Sequence, residues 1–215
     1  MKNTMRMTLL ACCAMLLAVP AIAQSAKVSA KVPHQQNSKL DLFAGYSYWA
    51  PNGTVNRFRY KAVNEGFTLS AAYYFDPYLG AQFEATRSVQ TSNDAMRSFS
   101  GGIIARYPKL QGMVPFAHAL LGTVGLTGPN EASINNGSSY FYNPEHWGVL
   151  LTTGGGLDYR TPFLHGHLRL RIFQVDYQYV HVNFGPPQPT EGGRANLNAI
   201  HLSTGIVYSF HRVRF

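Results

Sequence analysis

The chain predicts an all-β fold, an eight-stranded antiparallel transmembrane up-and-down β-barrel, and three observations carry that prediction. Segments between Leu40 and Phe210 alternate apolar and polar residues with a period of two, the pattern of strands with lipid on one face and a polar interior on the other. Short turns and long connections alternate along the chain, as in membrane barrels of even strand number. Charged residues make up only 13% of the chain, about half the share usual in soluble domains. Tyr and Phe, at 13 each, are abundant.

Strand 1 is expected over Leu40–Ala50, with Leu40, Leu42, Ala44, Tyr46 and Tyr48 outward and Asp41, Gly45 and Ser47 inward. Strand 2, Gly66–Phe75, turns Phe67, Leu69, Ala71, Tyr73 and Phe75 outward; Asp76-Pro77-Tyr78 then reads as a tight turn. Strand 3, Leu79–Ser88, places Gln82, Glu84 and Thr86 inward, and strand 4, Arg97–Tyr107, does the same for Ser98, Ser100 and Arg106. Strand 5, Val114–Leu126, alternates too weakly to give its phase. Strand 6, Trp147–Arg160, turns Thr152, Gly154, Gly156 and Asp158 inward. Gly154-Gly155-Gly156 lies mid-strand with no helix following, so it is a close-packing site and not a phosphate loop.

Strand 7, about His167–Val182, changes phase. Arg169 and Arg171 occupy one parity, and Gln174, Asp176 and Gln178 the other. One extra residue near Ile172–Phe173, a β-bulge, would keep both polar sets in the lumen. Without it the arginines would face out and snorkel to headgroups. Strand 8 is expected over about Asn196–Phe210, with Leu202, Thr204, Ile206, Tyr208 and Phe210 outward. The long connections are Pro51–Glu65, Thr127–His146 and Asn183–Ala195, with a moderate one at Val89–Met96. Eight strands leave an interior that side chains just fill.

The N-terminus reads as an export signal over residues 1–23. Lys2 and Arg6 precede an apolar Leu9–Val19 stretch and an Ala21-Ile22-Ala23 cleavage site, so Gln24 is the expected first mature residue. Leu10-Ala11-Cys12 has the residues of a lipoprotein site but no apolar region before it. Cys12 and Cys13 both leave with the signal, so the mature barrel is expected to hold together by packing and hydrogen bonding alone. Without Lys2 and Arg6 the formal charge of +8 becomes +6, which in an exported chain suits anionic lipid headgroups better than nucleic acid. Residues 24–38 are polar and aperiodic, the expected periplasmic tail, and 39–215 are the expected barrel.

Leu40–Tyr48 (LDLFAGYSY), Pro115–Gly122 (PFAHALLG), Gly154–Tyr159 (GGGLDY), Leu168–Tyr177 (LRLRIFQVDY) and Ser203–Phe210, in this order and spacing, resemble the outer-membrane protein beta-barrel domain family, OmpA/OmpX-like barrels of acidobacterial type. The resemblance spans roughly residues 38–210. It implies residence in the outer membrane and no catalytic signature. Ser203, Gly205, Tyr208 and Phe210 resemble the C-terminal signal that barrel-assembly machinery reads, with Phe215 an alternative terminal aromatic.

The candidate lumen residues are Asp41, Glu84, Arg106, Asp158, Arg169, Arg171 and Asp176. Buried charges need partners, so Glu84, Asp158 and Asp176 are expected to face Arg106 and at least one of Arg169 and Arg171. Charges of both signs read as a salt-bridged plug, where a ring of one sign would read as a selective pore. His118, His181 and His201 raise metal or hydrolase chemistry, yet no His/Asp/Glu spacing resembles a metal site and no cofactor is expected. His201 and Ser203, with Asn198 nearby, have the residues of a lipid A deacylase, but they share the lumen face, away from any acyl chain. In the loops Arg57, Arg59, Tyr60 and Lys61 could meet lipopolysaccharide phosphates or a neighbouring surface. Both termini are expected in the periplasm, with Arg57, Asn136 and Pro187 outside the cell. The function expected is that of a monomeric, non-enzymatic barrel serving envelope integrity or surface interaction. A narrow solute pore is the alternative, and a lipid-modifying enzyme the third reading.

Overall fold

A computed structural model describes residues 38–55, 58–59, 62–89, 95–110, 112–127, 131–135, 138–142, 145–184 and 194–210. The strands among them are, in chain order, β1 (Leu40–Asn52), β2 (Thr54–Val55), β3 (Phe58–Arg59), β4 (Val63–Tyr74), β5 (Leu79–Val89), β6 (Ala95–Arg106), β7 (Met113–Thr127), β8 (Glu131–Asn135), β9 (Ser138–Tyr142), β10 (Glu145–Arg160), β11 (Leu168–Asn183) and β12 (Arg194–Phe210). Eight of them close into one barrel in the order β1-β12-β11-β10-β7-β6-β5-β4, every pair antiparallel. The first and last strands seal it in an unbroken register from Leu40 opposite Phe210 to Asn52 opposite Asn198. Closure leaves no unpaired edge, which a hydrocarbon environment would not tolerate.

Two small hairpins, β2–β3 and β8–β9, lie in connections that the periodicity treats as plain loops. The expected signal and nearly all of the tail, 1–37, fall outside the described residues, as do Arg57, Tyr60, Lys61, Asn136, Pro187 and 211–215. Ser38 is an exception to the tail reading. It is buried at the barrel mouth, where its Oγ and carbonyl accept two hydrogen bonds from Arg106, at 2.8 and 2.7 Å.

Alternation divides the wall as expected for β1, β4, β5, β6, β10 and β12, and the structure supplies the phase of β7. There Val114, Phe116, His118, Leu120, Val124 and Leu126 are buried inside, while Ala117, Ala119 and Leu121 face out. Strand β11 carries the bulge. Arg171 and Gln174 pair with Gly205 and Ser203 on β12, so two residues stand against one on the partner. On the other side Phe173 pairs with Leu157 and Arg171 with Asp158, which makes Ile172 the extra residue. Ile172 and Phe173 are 44% and 48% exposed, both outward, and Arg169, Arg171, Gln174, Asp176 and Gln178 are all buried inside.

The polarity of the wall inverts along the barrel axis. Through most of its height the outside is apolar, with Leu69, Phe83, Ile103, Val175 and Ile206 among its exposed residues, and the inside carries the buried polar side chains, interleaved with a smaller apolar group of Ala72, Tyr74, Ile104 and Phe116. Near the long connections the outside becomes polar, at Asn52, Glu65, Arg87, Arg97, Glu145 and Asn198. At that same end the interior becomes apolar. Trp49, Val63, Met96, Val124, Leu126, Leu150, Val180, Val182 and Leu197 form one buried cluster. An all-polar lumen is therefore not what the chain builds: its loop-side end is packed like the core of a water-soluble domain.

At the opposite end the short turns are tightly closed. Asp76 Oδ1 accepts the backbone N–H groups of Tyr78 at 2.6 Å and Leu79 at 2.7 Å. These bonds favour the carboxylate and hold Asp76 below the usual carboxyl range. Its contribution to the turn is thus full above the ordinary carboxyl pKa and is lost as pH falls through the lowered value.

Candidate functional site

The buried polar residues form a column inside the barrel with three levels. At the turn end Asp41 holds two arginines. Arg106 Nη1 reaches its Oδ2 at 3.0 Å from β6, and Arg169 Nη2 reaches the same oxygen from β11. The Arg106 guanidinium also lies over the Tyr74 ring, 3.4 Å from its centroid, a direct cation–π contact.

The next level is Arg171 with Asp158. Arg171 donates through Nε to Asp158 Oδ1 at 2.8 Å and through Nη1 to Gln174 Oε1 at 2.6 Å. Its guanidinium is sandwiched between Phe43 and Phe116, 4.2 and 4.1 Å from the two centroids. Gly156 makes this possible, since a Cβ there would stand 2.8 Å from the Phe116 ring. Gly154 does the same for Asp176, whose Oδ1 a Cβ would meet head-on. The glycine run is a recess for the column, as its mid-strand position implies.

The third level is a knot of two carboxylates, two imidazoles and two amides. Asp176 takes His118 Nε2 on Oδ1 at 2.9 Å and His201 Nδ1 on Oδ2 at 3.1 Å. Gln174 Nε2 donates to Asp176 Oδ2 at 2.6 Å and to Glu84 Oε2 at 3.3 Å. Gln82 Nε2 also donates to Glu84, at 3.3 Å, and its Oε1 meets His118 Nδ1 at 3.1 Å. Every member is buried.

This geometry corrects the expected pairing. Glu84 does not face Arg106, which belongs to Asp41 two levels away, and Asp176 is met by histidines where an arginine was expected. Asp158 with Arg171 is the expected kind of pair. Periodicity alone could not find the two-histidine knot, because strands β5, β7, β11 and β12 meet there only through the stagger of the closed sheet.

Donor atoms of Glu84, Asp176 and His201 lie within 4.8 Å of one another, a set that sequence spacing does not reveal and that could hold a metal ion. The Gln174 amide, however, already bridges the two carboxylates. His201 is thus tied to Asp176, and its Nε2 is 3.4 Å from Thr68 Oγ1. Ser203 Oγ is buried and makes no hydrogen bond among the described residues, so His201 is not placed as its base. His181 faces outward, its Nδ1 at 2.6 Å from Asn196 Oδ1. Gly205, Tyr208 and Phe210 occupy the β12 end, with Tyr208 and Phe210 outward in an edge-to-face pair 4.8 Å apart. Arg59 lies in β3, and its three loop companions lie outside the described residues.

No protein-family model matches the chain, and no curated protein matches it in sequence. Among solved structures it is similar to Neisserial surface protein A, at 17% identity and a TM-score of 0.49, over 80% of this chain and 98% of that one. It is similar to the outer membrane protein OprG from Pseudomonas aeruginosa at 13% identity and 0.45, over 82% and 98%. It is also similar to Ail, the attachment invasion locus protein of Yersinia pestis, at 14% identity and 0.43, over 80% and 99%.

Proposed function

We propose that this chain is a closed, non-enzymatic wall protein of an outer membrane, serving envelope integrity or surface interaction, with both termini in the periplasm. The observation that carries this reading is the filled lumen: a hydrogen-bonded polar column below and an apolar cluster around Trp49 and Leu150 above. Such an interior supports a rigid wall better than a path for ions. The apolar outer belt supports lipid contact, and the basic loops around Arg57, Arg59, Tyr60 and Lys61 support contact with phosphorylated surface lipids. Barrel-assembly machinery would read the β12 end during insertion, and the barrel would work as a monomer.

Refolded protein in planar bilayers is expected to give no unitary conductance. A steady, reproducible conductance would replace the wall by a solute path. In cells, Ser203→Ala should leave the acylation pattern of lipid A unchanged, since Ser203 and His201 are enclosed on the lumen side. Mass spectrometry showing one acyl chain lost only when both residues are intact would make the protein an enzyme.

A further inference from the structure

Each long strand has one outward position where the apolar belt first gives way to a polar residue near the loop end. Read round the barrel from β1 through β4, these are Asn52, Glu65, Arg87, Arg97, Thr123, Glu145, His181 and Asn198. The two arginines stand on neighbouring strands, directly opposite each other in the β5–β6 register, and both are exposed. Like charges so placed on a sheet repel and destabilise the pair. Arg97 is partly offset by Glu145, whose Oε2 is 3.7 Å from its Nη1, while Arg87 has no ion pair among the described residues. Glu65 stands on the other flank, beside β5.

Below the pair is an aromatic shelf. Phe99, the next outward residue on β6, stacks with Trp147 at 6.3 Å and 12° between planes, and Phe67 pairs with Arg87 across β4–β5. Two guanidiniums at the outer limit of an apolar belt, above stacked rings, suit a ligand with a phosphate on an acylated body.

Resting on the outer-membrane reading above, we infer that Arg87 and Arg97 together bind the phosphate of a phosphorylated glucosamine lipid in the outer leaflet, its acyl chains lying along Phe67, Phe99 and Trp147. The anion offsets the arginine–arginine repulsion, and Glu65 and Glu145 confine it to the space between the two guanidiniums. The site lies on the barrel wall and so does not depend on the loops.

Full mature protein, folded in zwitterionic detergent, tests this by native mass spectrometry with bis-phosphorylated lipid A, dephosphorylated lipid A and phosphatidylglycerol as separate probes. Wild type should retain the bis-phosphorylated lipid, and Arg87→Gln/Arg97→Gln should bind it at least about tenfold more weakly, the loss of one or two charge-assisted bonds. Arg194→Gln, outward on β12, should bind like wild type. In detergent without lipid the double variant should melt at or above the wild-type temperature, since the repulsion is gone. Undiminished binding by the double variant overturns the site. Equal retention of dephosphorylated lipid A or of phosphatidylglycerol overturns the ligand. A folded Arg87→Lys/Arg97→Lys variant, expected to keep part of the binding, separates loss of charge from loss of fold. Conductance by the barrel would overturn the closed-wall reading and leave this adduct measurement standing.

Discussion

Deletion of Ile172 is expected to prevent the barrel from forming. The bulge lets Arg169 and Arg171 share the lumen with Gln174, Asp176 and Gln178. With one residue fewer, one of these sets must face the other way, because side chains alternate strictly along a strand. If the arginines turn out, Asp41 loses one partner and Asp158 loses Arg171, each left buried in a low-dielectric interior. If the other set turns out, Asp176 enters lipid and both histidines lose it. Either choice costs several kcal/mol per stranded charge, against a total stability of about 5–15 kcal/mol. Ile172→Ala keeps the bulge and should fold, since the side chain is half exposed on the lipid side. Heat-modifiable electrophoretic mobility separates the outcomes. A deletion variant that folds and melts like wild type would mean that β11 is not registered by this residue.

Asp41→Asn should be the most damaging single substitution of a charged lumen residue, by about 3–5 kcal/mol, the usual cost of breaking a buried pair from one side. One carboxylate oxygen receives both Arg106 and Arg169, so its neutralisation strands two guanidiniums. Glu84→Gln should be nearly neutral. Its oxygen is held by the Gln82 and Gln174 amides, both at 3.3 Å, and by no arginine. A double-mutant cycle should then give clear coupling for Asp41 with Arg106. For Glu84 with Arg106 it should stay within about 0.5 kcal/mol, the margin of independent sites. Coupling of Glu84 with Arg106 as large as that of Asp41 would restore the pairing that alternation suggests.

The facing of most strands was legible because one face meets lipid and the other a polar lumen, which leaves a binary signal. Even the bulge left a trace, in the change of parity between Arg171 and Gln174. Strand β7 was illegible for a physical reason: inward Leu120, Val124 and Leu126 stand beside outward Ala119 and Leu121, so both faces read as apolar. The same ambiguity hid the apolar cluster at the loop end, where Val149-Leu150-Leu151 resembles a blurred strand. Partner choice across the lumen was beyond reach. Asp41, Arg106 and Arg169 come from β1, β6 and β11, and only the stagger of a closed sheet decides which levels coincide.

The reversal of polarity along the axis also makes the protein a gauge of bilayer thickness. A uniform tube could slide in a thicker membrane until its apolar length was matched. This one cannot, because sinking would carry Arg87, Arg97 and Glu65 into hydrocarbon while the rim's apolar core, already enclosed, gains nothing. The bilayer must instead thin or thicken around a fixed hydrophobic height. Melting temperature measured across phosphatidylcholine vesicles of increasing acyl length should therefore pass through a maximum, marking the membrane this barrel is built to stand in.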